Sequence, residues 1–126
     1  MNSLVPFFWV GLGSAAGGMS RYWLSLKVDD SCRLFPLGTL IVNTLGSFLI
    51  GYILVAPSVT DLGEWEKPFR QFAAVGFCGG FTTFSTFSLQ TLHLLQRNEF
   101  GQATANILVS LLTCLAAAYF GIRLGK

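Results

Sequence analysis

The stretch Gly76-Phe77-Cys78-Gly79-Gly80-Phe81-Thr82-Thr83-Phe84-Ser85-Thr86-Phe87-Ser88 sets paired glycines, hydroxyls and phenyl rings inside a segment otherwise apolar enough to lie in a bilayer. Two adjacent glycines weaken a helix. Non-helical backbone at membrane depth survives only where protein buries it or a water-filled path runs beside it. The pair Gly79-Gly80 therefore predicts a broken helix at an ion site.

Other polar residues stand in apolar surroundings and carry two readings each. Thr39, Asn43, Gly46 and Ser47 share one face at helical spacing, with the carboxamide of Asn43 near the middle of its apolar segment. An amide in hydrocarbon must find a partner. Asn43 is either one half of a hydrogen bond between helices or a donor offered to a dehydrated anion in a pore. Phe84 and Phe87, three residues apart with Ser85 and Thr86 beside them, read as ordinary core or as phenyl edges directed at a halide. A ring edge carries positive potential, and weak attraction suits conduction, which needs binding loose enough for release. Arg21 is either a side chain snorkelling to the headgroups or a fixed positive charge at a vestibule that draws anions and supports nearby backbone.

The elements that must position these groups follow from composition. Of 126 residues, 52% are hydrophobic and only 11% charged, against roughly a quarter charged in a soluble domain. The charges cluster at Lys27, Asp29, Asp30 and Arg33, at Asp61, Glu64, Glu66, Lys67 and Arg70, at Arg97 and Glu99, and at Arg123 and Lys126. Between them run apolar segments of about 4–26, 37–56, 69–95 and 103–122, each near the length of a tilted membrane-spanning helix. An all-α membrane protein is expected, with four transmembrane helices in a single domain over residues 1–126 and both termini on one side. The first segment lacks the basic start of a signal peptide and is too long for an ordinary cleaved core, so it is expected to stay. No acidic residue falls inside any expected span, which removes the groups that proton- or cation-coupled carriers use and favours an anion.

Lys and Arg excess normally sets orientation, yet Lys67, Arg70, Arg123 and Lys126 face only Lys27, Arg33 and Arg97, with Arg21 added if it closes the first helix. So balanced a chain can insert both ways round and form an antiparallel dual-topology homodimer, resembling the inverted repeats of transporters. One weakly biased orientation is the alternative. The dimer is preferred because four short helices enclose little volume and the polar side chains need partners.

Other chemistry finds little support. Cys32, Cys78 and Cys114 lack metal-ligand spacing, and two of them lie within expected spans as small apolar residues. His93, the sole histidine, has no second imidazole to join and is read as interfacial. Gly11-Leu12-Gly13-Ser14-Ala15-Ala16 fits a dinucleotide fingerprint in letters but lacks the surrounding strand and crossover. Gly13 with Gly17, Ser14 with Gly18 and Ala16 with Ser20 instead make small-residue pairs for close helix packing. Gly79-Gly80-Phe81-Thr82-Thr83 lacks the lysine of a phosphate loop.

Gly17-Gly18-Met19-Ser20-Arg21-Tyr22, the run from Gly38 to Ser47 around Asn43, and the run from Gly76 to Ser88 together resemble the small fluoride channels of the Fluc/CrcB family, in order along the chain. The resemblance implies a dual-topology dimer with two fluoride pores, multi-pass in the inner (plasma) membrane of a bacterium. It implies passive export of fluoride from the cytoplasm, which relieves its toxicity. By resemblance Phe84 and Phe87 line the fluoride sites, Asn43 is the pore amide, and Ser85 and Thr86 belong to a hydroxyl track. A structural sodium ion at the dimer centre is implied as well, held through the backbone carbonyls of Gly79 and Thr82. In the last helix Asn106 falls where relatives place a tyrosine and Ser110 where they place a pore hydroxyl; Asn106 reads equally as an interfacial residue. A small multidrug exporter shares four spans but needs a membrane glutamate that the first helix lacks. A structural membrane subunit does not account for Asn43 beside a glycine break, and nothing implies an enzyme.

Overall fold

The computed structural model describes residues 4–29 and 35–126; Asp30, Cys32 and Arg33 of the first expected loop lie outside the described residues. These are helical nearly throughout, with no strand among them. Helix α1 spans Val5–Asp29 and α2 spans Leu37–Val55. A single turn, α3 (Pro57–Thr60), and a 3-10 turn at Gly63–Trp65 lead into α4 (Glu66–Arg70). The same rod continues through a π-helical stretch, Gln71–Cys78, and α5 (Gly79–Phe81). Helices α6 (Phe84–Gln96) and α7 (Phe100–Leu124) complete the chain. In the turn between them Asn98 takes a φ of 60°, the left-handed conformation that asparagine tolerates better than most residues.

Among the described residues three helical runs are long and apolar enough to cross a membrane: Leu37–Val55, Gly63–Gln96 and Phe100–Leu124. The expected spans 37–56, 69–95 and 103–122 fall on these. The expected span 4–26 falls on α1, whose 25 residues suffice in length. Its four glycines at 11, 13, 17 and 18, with Ser14, Ser20 and Arg21, make it less apolar than the other three.

The chain does leave helical geometry in the third run, but not at the glycines. Gly79 has φ −63° and ψ −38°, ordinary helical values. The extended residues are Thr82, at φ −89° and ψ 155°, and Thr83, at φ −149° and ψ 110°. The expectation of a break at Gly79-Gly80 is corrected accordingly, and packing explains why. A methyl group on Gly80 would lie 2.5 Å from the Ser14 carbonyl oxygen, and one on Gly76 2.6 Å from that of Val10. Reciprocally, one on Gly17 would run into the Phe77 carbonyl, and one on Gly13 into that of Phe72. Gly76 and Gly80 thus let the third run lie backbone to backbone on α1, the close approach that small residues allow between helices in lipid. Among the α1 pairs expected to pack, Gly13 and Gly17 do so here, and the backbone of Ser14 and Gly18 lies against Gly80, although a methyl on Gly18 itself would meet nothing within 4 Å.

The second packing pair is α2 against α7, where Gly51 meets the backbone of Ala118 and Gly121 that of Phe48. Thr44 and Thr113 join hydroxyls across it at 3.0 Å. Arg70 fastens the start of the third run to the end of α2, giving Nη1 to the Leu54 carbonyl at 3.0 Å and Nε to Glu66 at 3.0 Å. These contacts set α2, the third run and α7 around one shared cleft.

Candidate functional site

Interrupting a helix exposes backbone groups, and in an apolar setting each needs a partner. Asn43 on α2 supplies two. Its Oδ1 accepts from the Thr83 amide at 2.7 Å, and its Nδ2 donates to the Thr83 carbonyl at 3.1 Å. The carboxamide therefore pairs with Thr83 as a neighbouring strand residue would, and its orientation is fixed, since an amide hydrogen demands the oxygen and a carbonyl the nitrogen. Of its two N–H groups, one finds no partner among the described residues. Ser47 turns back on its own helix, giving its hydroxyl to the Asn43 carbonyl at 2.7 Å.

Neighbouring groups of the interruption find partners close by. Thr83 caps α6, its Oγ1 accepting from the Thr86 amide at 3.2 Å, the expected office of a threonine before a helix. Thr82 returns both its amide, at 3.0 Å, and its hydroxyl, at 2.9 Å, to the Cys78 carbonyl. Arg21 of α1, half-buried, donates Nε to the Gly80 carbonyl at 3.1 Å. The amide of Thr83 would serve the Gly79 carbonyl in an unbroken helix, and that of Thr86 the Thr82 carbonyl. With both amides turned to side chains, the Gly79 and Thr82 carbonyls have lost their helical donors.

A cleft of about 580 Å³ opens beside the interruption. Asn43, Phe84, Phe87, Ser110, Gly79 and Thr82 all line it, as do Cys78 and Cys114. Six of the residues singled out in the sequence, from three separate segments, thus meet at one place. Phe84 and Phe87 lie with ring centroids 5.4 Å apart, tilted by 43°, and Phe84 stands at the rim, 75% exposed. Ser85 and Thr86 do not line the cleft. They gather instead about Thr83, whose Oγ1 lies 3.2 Å from the Ser85 hydroxyl and donates to that of Thr86 at 2.9 Å. Arg21 is likewise outside the cleft and acts on the backbone behind it.

Asn106 is buried inside the chain, on the first two turns of α7. It is 2% exposed, donates Nδ2 to Thr91 Oγ1 at 2.9 Å, and receives the Ser110 hydroxyl on Oδ1 at 3.4 Å. Thr91 passes its own hydroxyl to the Phe87 carbonyl at 2.8 Å. Sequence reasoning missed Thr83, Thr91 and this placement of Asn106. The usable signals were the threonine preceding a helix-period segment and the four-residue spacing of Asn106 and Ser110, which sets them on one face.

Fold and site together define a small, multi-pass helical membrane protein whose apolar cleft is furnished with amide and hydroxyl groups and phenyl rings. The chain matches the family described as "CrcB-like protein, Camphor Resistance (CrcB)" over residues 8–122, and it belongs to that family. It is 47% identical over 118 residues to a protein of Hydrogenovibrio crunogenus, covering 93% of this chain and 88% of the other. To a protein of Magnetococcus marinus it is 44% identical over 119 residues, 94% and 95% of the two chains. To one of Methylocella silvestris it is 40% identical over 118 residues, 93% and 90% of the two chains. Each of the three bears the name fluoride-specific ion channel FluC.

Proposed function

We propose that this protein is a fluoride-selective channel, and not an enzyme, which lets fluoride leave the bacterial cytoplasm across the inner membrane down its electrochemical gradient. It works as an antiparallel dual-topology homodimer with two pores, each chain a single domain whose four helical segments cross the bilayer, the third broken at Thr82-Thr83. The observation that carries this reading is the convergence of Asn43, Ser110, Phe84 and Phe87 on one cleft, in a chain whose relatives are named fluoride-specific channels.

Fluoride is small and holds its water tightly, so a pore must offer replacements for that shell. The spare N–H of Asn43, the Ser110 hydroxyl and the edges of Phe84 and Phe87 are such groups, and none carries a full charge that would trap the ion. The hydroxyls of Ser85 and Thr86 extend the polar track beyond the cleft. Arg21 places its charge behind the interruption, where it holds the Gly80 carbonyl and raises the local potential for anions. The exposed Phe84 at the rim is where a second copy completes the wall.

The carbonyls of Gly79 and Thr82 fit the sodium ion that the family resemblance implies. They are hard oxygens without helical donors, and an antiparallel partner would bring the same two, for four in all. Bound there, sodium would supply a fixed positive charge holding the two interruptions together.

Purified protein in liposomes loaded with fluoride, read by a fluoride electrode with a chloride control, tests the reading. Rapid fluoride release with chloride retained, impaired in Phe84→Ile, is the expected result. Intact dimers that release no fluoride would overturn it.

A further inference from the structure

Asn106 lies behind the cleft, touching it only through Ser110. Its orientation is dictated from the far side. The Thr91 hydroxyl has its single proton committed to the Phe87 carbonyl at 2.8 Å, so toward Asn106 it can only accept. Asn106 must therefore turn Nδ2 to Thr91, at 2.9 Å, and Oδ1 to Ser110. Ser110 in turn points its only proton at Asn106, away from the cleft, and shows the cleft its lone pairs. At 3.4 Å that bond is long and correspondingly weak. A hydroxyl proton is free to swing about its C–O bond, and an arriving anion competes for it.

We propose that Asn106 is a positioning residue that holds the Ser110 proton back from the cleft until an anion draws it round. Each ion bound at Ser110 then pays the loss of the Ser110–Asn106 bond, and the site holds its ion more loosely than a free hydroxyl would. Resting on the fluoride-channel reading, this assigns a role to a position where the family resemblance leads one to expect a tyrosine. Loose holding is what rapid passage requires, since an ion bound too well leaves slowly. The chain from Thr91 to the Phe87 carbonyl adds a second consequence: the residue that orients Asn106 also bonds the backbone that carries one of the cleft phenyl rings.

The test is the fluoride dependence of the initial efflux rate from liposomes. In Asn106→Leu the Ser110 proton loses its competing acceptor. The half-saturating fluoride concentration should fall about two- to threefold, the worth of one weak neutral hydrogen bond, and the maximal rate should fall with it. In a Ser110→Ala background the same substitution should leave the half-saturating concentration unchanged, a dependence that mere support of the fold would not produce. Thr91→Val removes the constraint on Asn106 and lets the amide turn an N–H toward Ser110, so it should shift the same constant in the same direction. It carries the test if Asn106→Leu does not elute as the wild-type dimer. An unchanged or raised half-saturating concentration in whichever variant is folded, or an equal shift with and without Ser110, would overturn the proposal. Absence of wild-type fluoride flux would instead strike the channel reading itself.

Discussion

Removing the Asn43 side chain should weaken the fold more than removing its neighbour's hydroxyl, because Asn43 supports a backbone amide, that of Thr83, with no helical acceptor. Asn43→Ala deletes the bonds of 2.7 and 3.1 Å to the Thr83 amide and carbonyl. The rest of the chain cannot take them up while Thr82 and Thr83 stay extended. The stranded Thr83 amide costs about 1–3 kcal/mol, and the Thr83 carbonyl, which as the cap of α6 keeps the first bond of that helix, adds about 1 kcal/mol, so the substitution should cost about 2–4 kcal/mol. Ser47→Ala, one turn along the same helix, removes a bond of 2.7 Å to the Asn43 carbonyl. That oxygen keeps its helical donor, so the loss should stay within about 1 kcal/mol. Unfolding by dodecyl sulfate in mixed micelles, followed by tryptophan fluorescence, reads both. Trp9 and Trp65, with ring centroids 6.4 Å apart, report the packing of α1 on the loop before α4. If Asn43→Ala unfolds within about 0.5 kcal/mol of wild type, well short of the cost of one unpaired amide, the backbone-support argument is refuted.

Two further outcomes test the frame around the site. Gly17→Ala drives a methyl group into the Phe77 carbonyl whereas Gly18→Ala meets nothing within 4 Å, so the first should lose several kcal/mol or fail to fold while the second stays within about 1 kcal/mol; equal behaviour in the same titration would remove the backbone-contact account of α1. Arg21→Met strips the Gly80 carbonyl of its charged donor at 3.1 Å and should cost about 1.5–3 kcal/mol, with Arg21→Lys recovering part of it, and a variant as stable as wild type would mean the side chain merely reaches for headgroups.

Periodicity and charge punctuation made α2 and α7 legible, because a long apolar run between charged loops has few other fates in or out of lipid. The clustering of Asn43 with Phe84 and Phe87 was implied by the family resemblance; the residues alone required only that an amide in an apolar segment find a partner. The site of the interruption was not. Glycine's weak helix propensity is worth at most about 1 kcal/mol, and the contact of Gly76 and Gly80 with α1 outweighs it. Thr82 and Thr83 have no propensity that marks them, since what holds them extended is Asn43, some 40 residues away in sequence. Asn106 was obscured in the same manner, its partner Thr91 being reached only once the turn at Asn98 folds α7 back on α6.

One interruption gives groups of both polarities. Breaking a helix frees amides and carbonyls in equal number, and the surroundings here sort them. Asn43 and the Thr83 hydroxyl take the freed amides of Thr83 and Thr86. Arg21 takes the carbonyl of Gly80, while those of Gly79 and Thr82 are among the carbonyls left without helical donors. Of the side-chain donors in the cleft, the second Asn43 N–H is held in place by the bonds to Thr83, whereas the Ser110 hydroxyl can turn toward a passing anion. The acceptors that remain belong to backbone that cannot turn. On the proposed reading this division is why a mobile anion and a resident cation coexist within a few residues: rotatable donors exchange partners quickly, while fixed carbonyls make a permanent cage. Substitutions at Asn43 should therefore disturb both, and substitutions at Ser110 the anion alone.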